Sequence, residues 1–397
     1  MNNRKSVEAL RLMANNNTST AGKAITCRAA VARAAGAPLV IEEVVVDPPK
    51  SGELRIKIIC TSLCHSDLTF FNLVVPPACF PRILGHEAVG MVESVGDGVI
   101  EVVEGDMVIP VFMSDCGECR DCKSKKSNLC TEFPFRVDPW MHDGTSRFRD
   151  LNGQTIHHFM FVSSFTEYTV VHRANVIKLN PAIPPSRACL LACGVSTGVG
   201  AAWRSASVER GSTVAIFGLG SIGLAVAEGA RLCGAARIIG IDVNPNKFAL
   251  SKKFGVTDFI DSTSCTEKSV SQMVNELTDG GADYCFECVG RASLVEEAYA
   301  CCRKGWGKTI VVGVDRPGSL LKFASTEVLH SGKIILGSLF GGLKPKLDIP
   351  ILVNKYMDKE LELDKFVTHE VGFEEINKAF DLLHQGKSLR CVIWMDR

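Results

Sequence analysis

The sequence predicts an α/β protein that combines a barrel-like β domain with a doubly wound parallel sheet. Between residues 41 and 105, glycine, proline and aspartate break up short apolar alternations such as "LVIEEVVVDPPKSGELRIKIIC", which is typical of antiparallel strands. After about Gly194 the pattern becomes strand, glycine turn, helix and strand, as in "STVAIFGLGSIGLAVAEGARLCGAARIIGIDVN". One helix and one strand are predicted in the final segment, "FEEINKAFDLLHQGKSLRCVIWMDR".

Length and charge limit the number of domains and the kinds of partner. A chain of 397 residues is too long for one ordinary hydrophobic core, so two or three domains are expected. The 44 lysine and arginine residues equal the 44 aspartate and glutamate residues, which leaves no overall field to attract nucleic acid or an anionic membrane. No apolar run approaches the roughly 20 residues of a membrane span. We therefore expect neither nucleic acid nor a membrane as a partner.

The amino end and the cysteine content bear on location. Residues 1–21 lack the apolar region of a secretory signal, and we expect a disordered tail there, with an organelle-targeting segment as the alternative. Seventeen cysteines in a chain without a secretory signal indicate thiols or metal ligands in a reducing compartment rather than disulfides. The predicted location is the cytoplasm.

A dense cysteine cluster lies in "CGECRDCKSKKSNLC", with the spacing C-x2-C-x2-C-x7-C. Its members are Cys116, Cys119, Cys122 and Cys130. Four thiolates from one loop close a tetrahedron around zinc and leave no position for water or substrate. An iron–sulfur cluster is the alternative, but its bacterial pattern has three residues before the last cysteine and proline after it, whereas Thr131 follows here. The sequence therefore predicts a closed zinc site, so a catalytic metal needs ligands elsewhere.

The segment "FGLGSIG" predicts a dinucleotide site. Gly218, Gly220 and Gly223 form G-x-G-x-x-G directly after an apolar strand, and a helix follows, where pyrophosphate can approach the helix N-terminus. The next strand ends in Asp242, whose carboxylate suits the ribose hydroxyls and repels a 2′-phosphate. Lys247 lies over the same ribose or is simply solvated. We expect NAD(H) rather than NADP(H).

Three further stretches contain candidate ligands for a catalytic metal. "TSLCHSD" offers Cys64, "GHE" offers His86, and "LACGVSTG" offers Cys193. Taken singly, a buried cysteine is more often a small hydrophobic residue than a ligand. Together, two thiolates and one imidazole would leave one open position on zinc, which is the pattern of a catalytic site.

With these motifs together, the chain resembles a zinc-dependent medium-chain alcohol dehydrogenase, closest to the plant-type members, from about Ala24 to Arg397. The resemblance implies a GroES-like catalytic domain at 22–194 and 340–397, interrupted by a Rossmann NAD-binding domain at 195–339. It also implies that the lobe at 116–130 holds a structural zinc, that each subunit carries two zinc ions, and that the protein is a homodimer acting on a small-molecule alcohol or aldehyde.

The resemblance assigns roles to individual residues of the catalytic domain. Cys64, His86 and Cys193 match the catalytic zinc ligands, and Glu87 matches the acidic residue behind the zinc. Ser66 matches the hydroxyl that takes the substrate proton, and Asp67 matches the carboxylate that orients His86.

The resemblance also predicts cofactor and pocket contacts. Residues matching the pyrophosphate contacts are His65 and Arg390. Residues matching positions around the nicotinamide are Thr197, Leu339 and Phe340. Val312 and Val314 are further expected cofactor contacts. Residues matching the pocket lining are Phe112, Phe159, Met160, Val314 and Leu339.

Departures from the family pattern affect the proton relay and the substrate. Thr69 stands where many members have a histidine, and a threonine is no base near pH 7, so the relay must end in water, the cofactor ribose or His65. Val75 and Pro134 stand where formaldehyde-detoxifying relatives have charged anchors for glutathione, although Arg136 is an alternative anchor. We expect an apolar primary or secondary alcohol or aldehyde, for example a specialised-metabolite alcohol. The alternatives are S-(hydroxymethyl)glutathione as the substrate, and a non-catalytic zinc-binding relative.

Overall fold

The computed structural model describes residues 20–74, 79–265 and 267–397, and these form two compact units. The first unit runs up to Cys193 and adds Lys344–Met357 and Leu363–Arg397; the second comprises Gly194–Leu343 and Asp358–Glu362. The predicted tail of residues 1–21 falls outside the described residues as far as residue 19, and Val75 also falls outside them. The catalytic and nucleotide-binding roles of the predicted domains stay predictions.

The first unit is built mainly from two sheets. Its strands are β1 (Ile25–Ala32), β2 (Val40–Val46), β3 (Glu53–Ser62), β4 (Arg82–Ile83), β5 (Glu87–Val95), β6 (Met107–Pro110), β7 (Phe148–Asp150), β8 (Thr155–Ile156), β9 (Tyr168–His172), β10 (Val176–Lys178), β17 (Val367–Gly372) and β18 (Arg390–Trp394). One sheet has the order β4-β1-β2-β7-β8, and the other has the order β10-β6-β5-β3-β18-β17 with β9 also on β3. All pairs are antiparallel except β17 with β18.

Strand β3 pairs with a neighbouring strand on each side, and the loop that follows it carries Cys64, one of the predicted metal ligands. Ser62, its last residue, lies opposite Glu87 of β5 and opposite Val392 of β18. The loop that follows β3 carries Cys64, so this residue, the start of β5 and the start of β18 lie at the same end of the sheet.

The second unit contains a six-stranded parallel sheet. Its strands are β11 (Thr213–Phe217), β12 (Arg237–Asp242), β13 (Asp258–Asp261), β14 (Tyr284–Glu287), β15 (Lys308–Val311) and β16 (Ile334–Gly337). The order is β13-β12-β11-β14-β15-β16, so the direction of winding reverses between β11 and β14. The apolar run "TVAIF" of β11 is nearly all buried because helices cover both faces of such a sheet. The predicted fold class, α/β with a barrel-like domain and a doubly wound parallel sheet, is confirmed.

Helices connect and cover these sheets. They are α1 (His65–Phe71), α2 (Arg120–Lys123), α3 (Pro185–Ala188), α4 (Gly194–Gly200), α5 (Ser221–Cys233), α6 (Phe248–Ser251), α7 (Val270–Leu277), α8 (Ala292–Cys301), α9 (Ser325–Ser331), α10 (Pro345–Met357) and α11 (Ile376–His384). Among the described residues, none of these helices combines the length and apolar character that crossing a bilayer requires.

Candidate functional site

The four cysteines of the lobe converge on one point. The sulfur atoms of Cys116, Cys119, Cys122 and Cys130 all lie within 4.8 Å of one another. Backbone N–H groups donate to the sulfurs, with Cys119 N 3.3 Å from Cys116 Sγ, Cys122 N 3.3 Å from Cys119 Sγ, and Phe133 N 3.3 Å from Cys130 Sγ. Such donation favours thiolates, and four thiolates suit a closed zinc site.

Without a bound cation, the thiols of the lobe differ in their pKa values. Hydrogen bonds, the strongest from Thr131, lower the pKa of Cys119 to about 5. Burial instead raises the pKa of Cys122 above its ordinary value. Four ionised sulfurs in one place therefore need a divalent cation, and the donor set fits zinc.

Lys344 contacts the lobe, although no sequence motif marked it as a candidate residue. Its Nζ donates to the carbonyl oxygens of Asp121 at 3.3 Å, Cys122 at 2.5 Å and also Ser124. These carbonyls lie at the C-terminal end of α2, where backbone acceptors lack helical partners and a cation is favoured. Lys344 therefore ties α10 to the cysteine lobe.

A second cluster brings together Cys64, His86, Glu87 and Cys193. All four are buried, and one potential ligand atom from each lies within 4.8 Å of the others. Cys64 lies in the loop after β3, and Cys193 ends the first of the three segments that make up the first unit. The two cysteines are 129 residues apart in the sequence. The structure thus brings together the three predicted catalytic ligands and the acidic residue expected beside them.

Asp67 fixes the orientation of the His86 ring. Its Oδ1 lies 3.0 Å from His86 Nδ1, and its two oxygens also accept from the backbone N–H groups of Gly85 and Cys64, each at 3.0 Å. Because three donors surround the carboxylate, Nδ1 carries the proton and Nε2 keeps its lone pair. Nε2 is buried and makes no hydrogen bond to any described residue, as expected of a metal ligand.

Without metal, the pKa values of the two thiols of the second cluster shift in opposite directions. The hydrogen bond from Cys193 and the charge of Arg390 hold the pKa of Cys64 well below its usual range. The same hydrogen bond and burial raise the pKa of Cys193 well above its usual range. One proton therefore stays on the pair until a cation replaces it, so the donor set fits zinc here as well.

Arg390 lies within this cluster rather than on an open surface. Its guanidinium contacts the Glu87 carboxylate at 3.0 Å and 3.1 Å, and its Nη2 lies 3.8 Å from Cys64 Sγ. Arg390 is 1% exposed. The sequence predicted a contact with the cofactor pyrophosphate, whereas the structure shows the side chain paired with Glu87. The pyrophosphate contact stays a prediction.

The residues predicted to relay the substrate proton lie at the start of α1. Ser66 Oγ lies 3.9 Å from Cys64 Sγ, which puts the hydroxyl beside the second cluster. His65 is exposed at the first position of the helix. Thr69 Oγ1 donates to the carbonyl oxygen of His65 at 2.9 Å, one turn earlier in the same helix, and its hydroxyl offers no base.

Apolar side chains stand beside the cluster. The rings of Phe159 and Phe112 lie 5.7 Å and 6.0 Å from the His86 ring, both edge-on. Met160 is 7% exposed and follows Phe159 in the chain. The three predicted pocket residues of this unit are therefore buried near the metal-ligand set.

The glycine motif of the second unit forms the predicted turn. Gly218 has φ of +89°, a conformation that favours glycine, and a Cβ on Gly223 would lie 1.8 Å from the Gly218 carbonyl oxygen. Gly220 caps α5 without a side-chain hydrogen bond, and the Oγ of Ser221 is buried without a partner among the described residues. Donors at this helix N-terminus fit a phosphate group.

Asp242 and Lys247 contact each other beside this turn. Lys247 Nζ donates to Asp242 Oδ2 at 2.9 Å, and Leu219 N donates to the same oxygen at 2.7 Å. Lys247 is thus neither free in solvent nor isolated, since it forms an ion pair with the predicted ribose-binding carboxylate. Asp242 Oδ1 accepts from Asn244 N at 2.9 Å.

The remaining residues predicted to contact the cofactor differ in exposure. Val314 and Leu339 are 83% and 40% exposed, and Val312 and Thr197 are half-buried. Phe340 is 1% exposed, so its side chain belongs to the core of the second unit. The predicted contact of Phe340 with the nicotinamide would therefore involve its backbone atoms and not its ring.

This chain is similar to known proteins over both of its units. The family model described as alcohol dehydrogenase GroES-like domain matches residues 50–181, and the one described as zinc-binding dehydrogenase matches residues 221–355. Alcohol dehydrogenase-like 7 of Arabidopsis thaliana is 67% identical over 389 residues, covering 96% of this chain and 100% of that protein. Alcohol dehydrogenase class-3 of Oryza sativa subsp. japonica is 50% identical over 382 residues, covering 96% and 100%. Among solved structures, benzyl alcohol dehydrogenase from Acinetobacter calcoaceticus is 29% identical with a TM-score of 0.85, covering 94% and 99%.

Proposed function

The chain belongs to the zinc-dependent alcohol dehydrogenase family, and from this premise we propose that it transfers a hydride between NAD(H) and an apolar primary or secondary alcohol or its carbonyl product. One observation carries the proposal. The Cys64, His86 and Cys193 set is separate from the closed cysteine lobe and lies beside buried aromatic rings. Two thiolates and one imidazole leave zinc a position for a substrate oxygen, which four thiolates do not.

The roles of the chain's own residues follow from this geometry. Cys64, His86 and Cys193 would hold a zinc ion, which would supply a Lewis acid to lower the pKa of an alcohol hydroxyl, and a bound NAD would supply the hydride acceptor. Asp67 keeps the His86 proton on Nδ1, so that Nε2 faces the metal. Ser66 Oγ is the hydroxyl that receives the substrate proton. Because Thr69 is not a base, the proton passes onward to the exposed His65, to the cofactor ribose or to water.

Asp242 supports the preference for NAD(H). The carboxylate closes β12 next to the glycine turn and is held by Leu219 N and Lys247 Nζ. A 2′-phosphate at the same ribose would meet this carboxylate and be repelled.

The apolar surroundings of His86 support an apolar substrate. Burial of an alkyl or aromatic group against Phe112, Phe159 and Met160 contributes roughly 25 cal/mol per Å². A glutathione adduct has charged groups that need partners. Pro134 provides none, whereas the exposed Arg136 is the remaining candidate anchor for that alternative substrate.

We also propose a cytoplasmic homodimer. Strand β16 is at the edge of its sheet, and Ile334 and Ile335 are 45% and 36% exposed, so an edge-to-edge partner would cover them. The seventeen unbridged cysteines suit a reducing compartment. Light scattering of the purified protein tests the dimer; a monomer at micromolar concentration contradicts it.

The function is tested by activity and metal content together. We expect NADH absorbance to appear with terpenoid, benzylic and long-chain alcohols, and two zinc ions per subunit by mass spectrometry. A clear preference for S-(hydroxymethyl)glutathione would favour the alternative substrate. One zinc per subunit without turnover would favour a non-catalytic relative.

A further inference from the structure

The loop that contains Phe159 and Met160 has an unusual backbone conformation. Met160, Phe161 and Ser163 have φ of +51°, +59° and +51°, in the left-handed region that favours glycine. They are three of the seven non-glycine residues with positive φ in the described part of the chain. A left-handed backbone is disfavoured for bulky side chains such as those of methionine and phenylalanine. The loop is therefore strained, and its surroundings must hold it in place.

Burial separates these three residues from the ordinary cases in this chain. Asp279 and Lys359 also have positive φ, but both are exposed, as is usual in surface turns. Met160, Phe161 and Ser163 are only 7%, 2% and 0% exposed. Backbone strain that is kept inside a packed region, next to a candidate catalytic cluster, points to a function more than strain in a surface turn does.

Hydrogen bonds close the loop on itself. The backbone N–H of Phe159 donates to Ser163 Oγ at 2.7 Å, and the N–H groups of Val162 and Ser163 donate to the Phe159 carbonyl oxygen at 3.0 Å and 3.1 Å. Thr169 Oγ1, on β9, donates to the Val162 carbonyl oxygen at 2.5 Å. These bonds hold the two ends of the loop, but none of them involves the side chain at position 161.

The ring of Phe161 anchors the middle of the loop. It stacks on the His142 ring, with the ring centres 4.2 Å apart and an angle of 23° between the planes. His142 is itself fixed, since its Nε2 lies 2.9 Å from Asn175 Oδ1 and its ring centre lies 4.9 Å from that of Phe133. Burial holds the pKa of His142 below its ordinary value, so its ring is neutral at neutral pH and suits an apolar neighbour. Stacking of Phe161 therefore offsets the unfavourable backbone of the loop.

The first residue of the loop lies against the candidate catalytic cluster. The centre of the Phe159 ring is 5.7 Å from that of His86, a predicted zinc ligand, and 5.1 Å from that of Phe70. Phe159 and Phe161 thus pack on different neighbours although only Met160 separates them in the chain. A change in the position of the Phe161 ring would therefore shift Phe159 and Met160, which are predicted to line the substrate pocket.

We propose that Phe161 is a positioning residue that sets substrate selectivity through Phe159 and Met160. Its ring, held by His142, fixes the left-handed turn, and the turn fixes the distance between the Phe159 ring and the metal-binding histidine. A pocket wall at a fixed distance favours a flat apolar group over a thicker one. This inference rests on the proposed alcohol dehydrogenase function and adds a residue that determines its selectivity.

The test compares benzyl alcohol with cyclohexylmethanol, which has the same carbon skeleton but a thicker ring. Phe161→Gly permits the left-handed backbone and removes the anchoring ring. We expect the ratio of kcat/KM for benzyl alcohol to that for cyclohexylmethanol to fall about tenfold, mainly through a higher KM for benzyl alcohol. The intrinsic reactivities of the two alcohols cancel, because the same ratio is compared between variants. Lys359→Gly, which removes a side chain from an exposed left-handed position, should leave the ratio unchanged.

Further variants separate positioning from a simple loss of stability. His142→Leu removes the ring on which Phe161 stacks and should lower the same ratio, whereas the double variant Phe161→Gly, His142→Leu should lower it no further than Phe161→Gly alone. If Phe161→Gly does not fold, Phe161→Leu keeps an apolar side chain without the flat ring and should lower the ratio about threefold. A lower Tm with an unchanged ratio in the Phe161 variants, or additive effects in the double variant, would overturn the inference. Absence of turnover with every apolar alcohol in the wild type would overturn the proposed function, and this refinement with it.

Discussion

Asp67 Oδ1 lies 3.0 Å from His86 Nδ1, and both side chains are fully buried. The carboxylate holds the ring in the one tautomer that presents Nε2 as a ligand. We therefore expect Asp67→Ala to reduce zinc affinity of the second cluster roughly 10- to 100-fold. Dialysis against a mild chelator followed by metal analysis measures this. The variant should keep the lobe zinc, and retention of both ions would contradict the prediction.

The two clusters should respond differently to loss of a cysteine. Cys64→Ser should abolish turnover and lower the zinc content from two ions to one per subunit. The protein should stay folded, because a zinc site with an open position contributes less to folding than a closed four-cysteine site. Cys119→Ser should lower the Tm and promote aggregation, because it opens the closed lobe. Differential scanning calorimetry and metal analysis check both variants. Substantial activity in Cys64→Ser with normal zinc would show that the ligand assignment is wrong.

Cofactor choice should depend on Asp242. Replacing it with glycine removes the charge that opposes a 2′-phosphate, so the ratio of kcat/KM for NAD to that for NADP should fall by about tenfold or more. The control is Asp261→Asn, at the end of the neighbouring strand β13. Comparable efficiency with both cofactors in the unmodified enzyme would contradict the assignment.

The buried pair of Glu87 and Arg390 should be costly to break. Glu87→Gln leaves the Arg390 charge without its counter-ion, and unfolding free energy should drop by about 3–5 kcal/mol. Urea unfolding measures the loss. Because the double variant Glu87→Gln, Arg390→Met removes both charges, it should recover part of that stability. A double variant no more stable than the single one would argue against charge burial as the cause.

His158 should make stability depend on pH in a defined direction. Burial and the charge of Arg147 lower its pKa from 6.5 to about 3, so the folded state resists protonation while the unfolded state accepts it. The contribution of His158 is complete above pH 6.5 and is lost progressively as pH falls toward about 3. His158→Gln should flatten the Tm profile between pH 7 and 5, and the exposed His384→Gln should not. An unchanged slope in His158→Gln would refute this origin.

The elements that sequence predicts best here are those set by local pattern. The glycine turn at Gly218 and the apolar strand before it follow from backbone conformation and burial over a few residues. The cysteine lobe is equally local, since its four ligands lie within fifteen residues. The spacing of nearby residues was therefore enough to predict the glycine turn with its strand and the four-cysteine cluster.

Long-range pairs account for what sequence did not predict. Arg390 pairs with Glu87 across 303 residues, and Lys344 reaches the carbonyl of Cys122 across 222 residues. Neither contact appears as a pattern in the sequence, because the two residues come together only when distant strands and helices pack in the folded chain. Likewise, Phe161 looks like an ordinary apolar residue until its left-handed backbone and its stacking on His142 are seen in the structure.

Strand β18 lies between β3 and β17, so the sheet that carries Cys64 and Glu87 is completed by residues 390–394. During synthesis on the ribosome, every strand of the second unit has emerged before β18 exists. The parallel sheet can then close while the barrel still exposes the edge of β3 to other nascent chains. A stalled ribosome that withholds residues 390–394, or a premature stop codon that removes them, would leave that edge open to aggregation and make the barrel the unit that depends on chaperones.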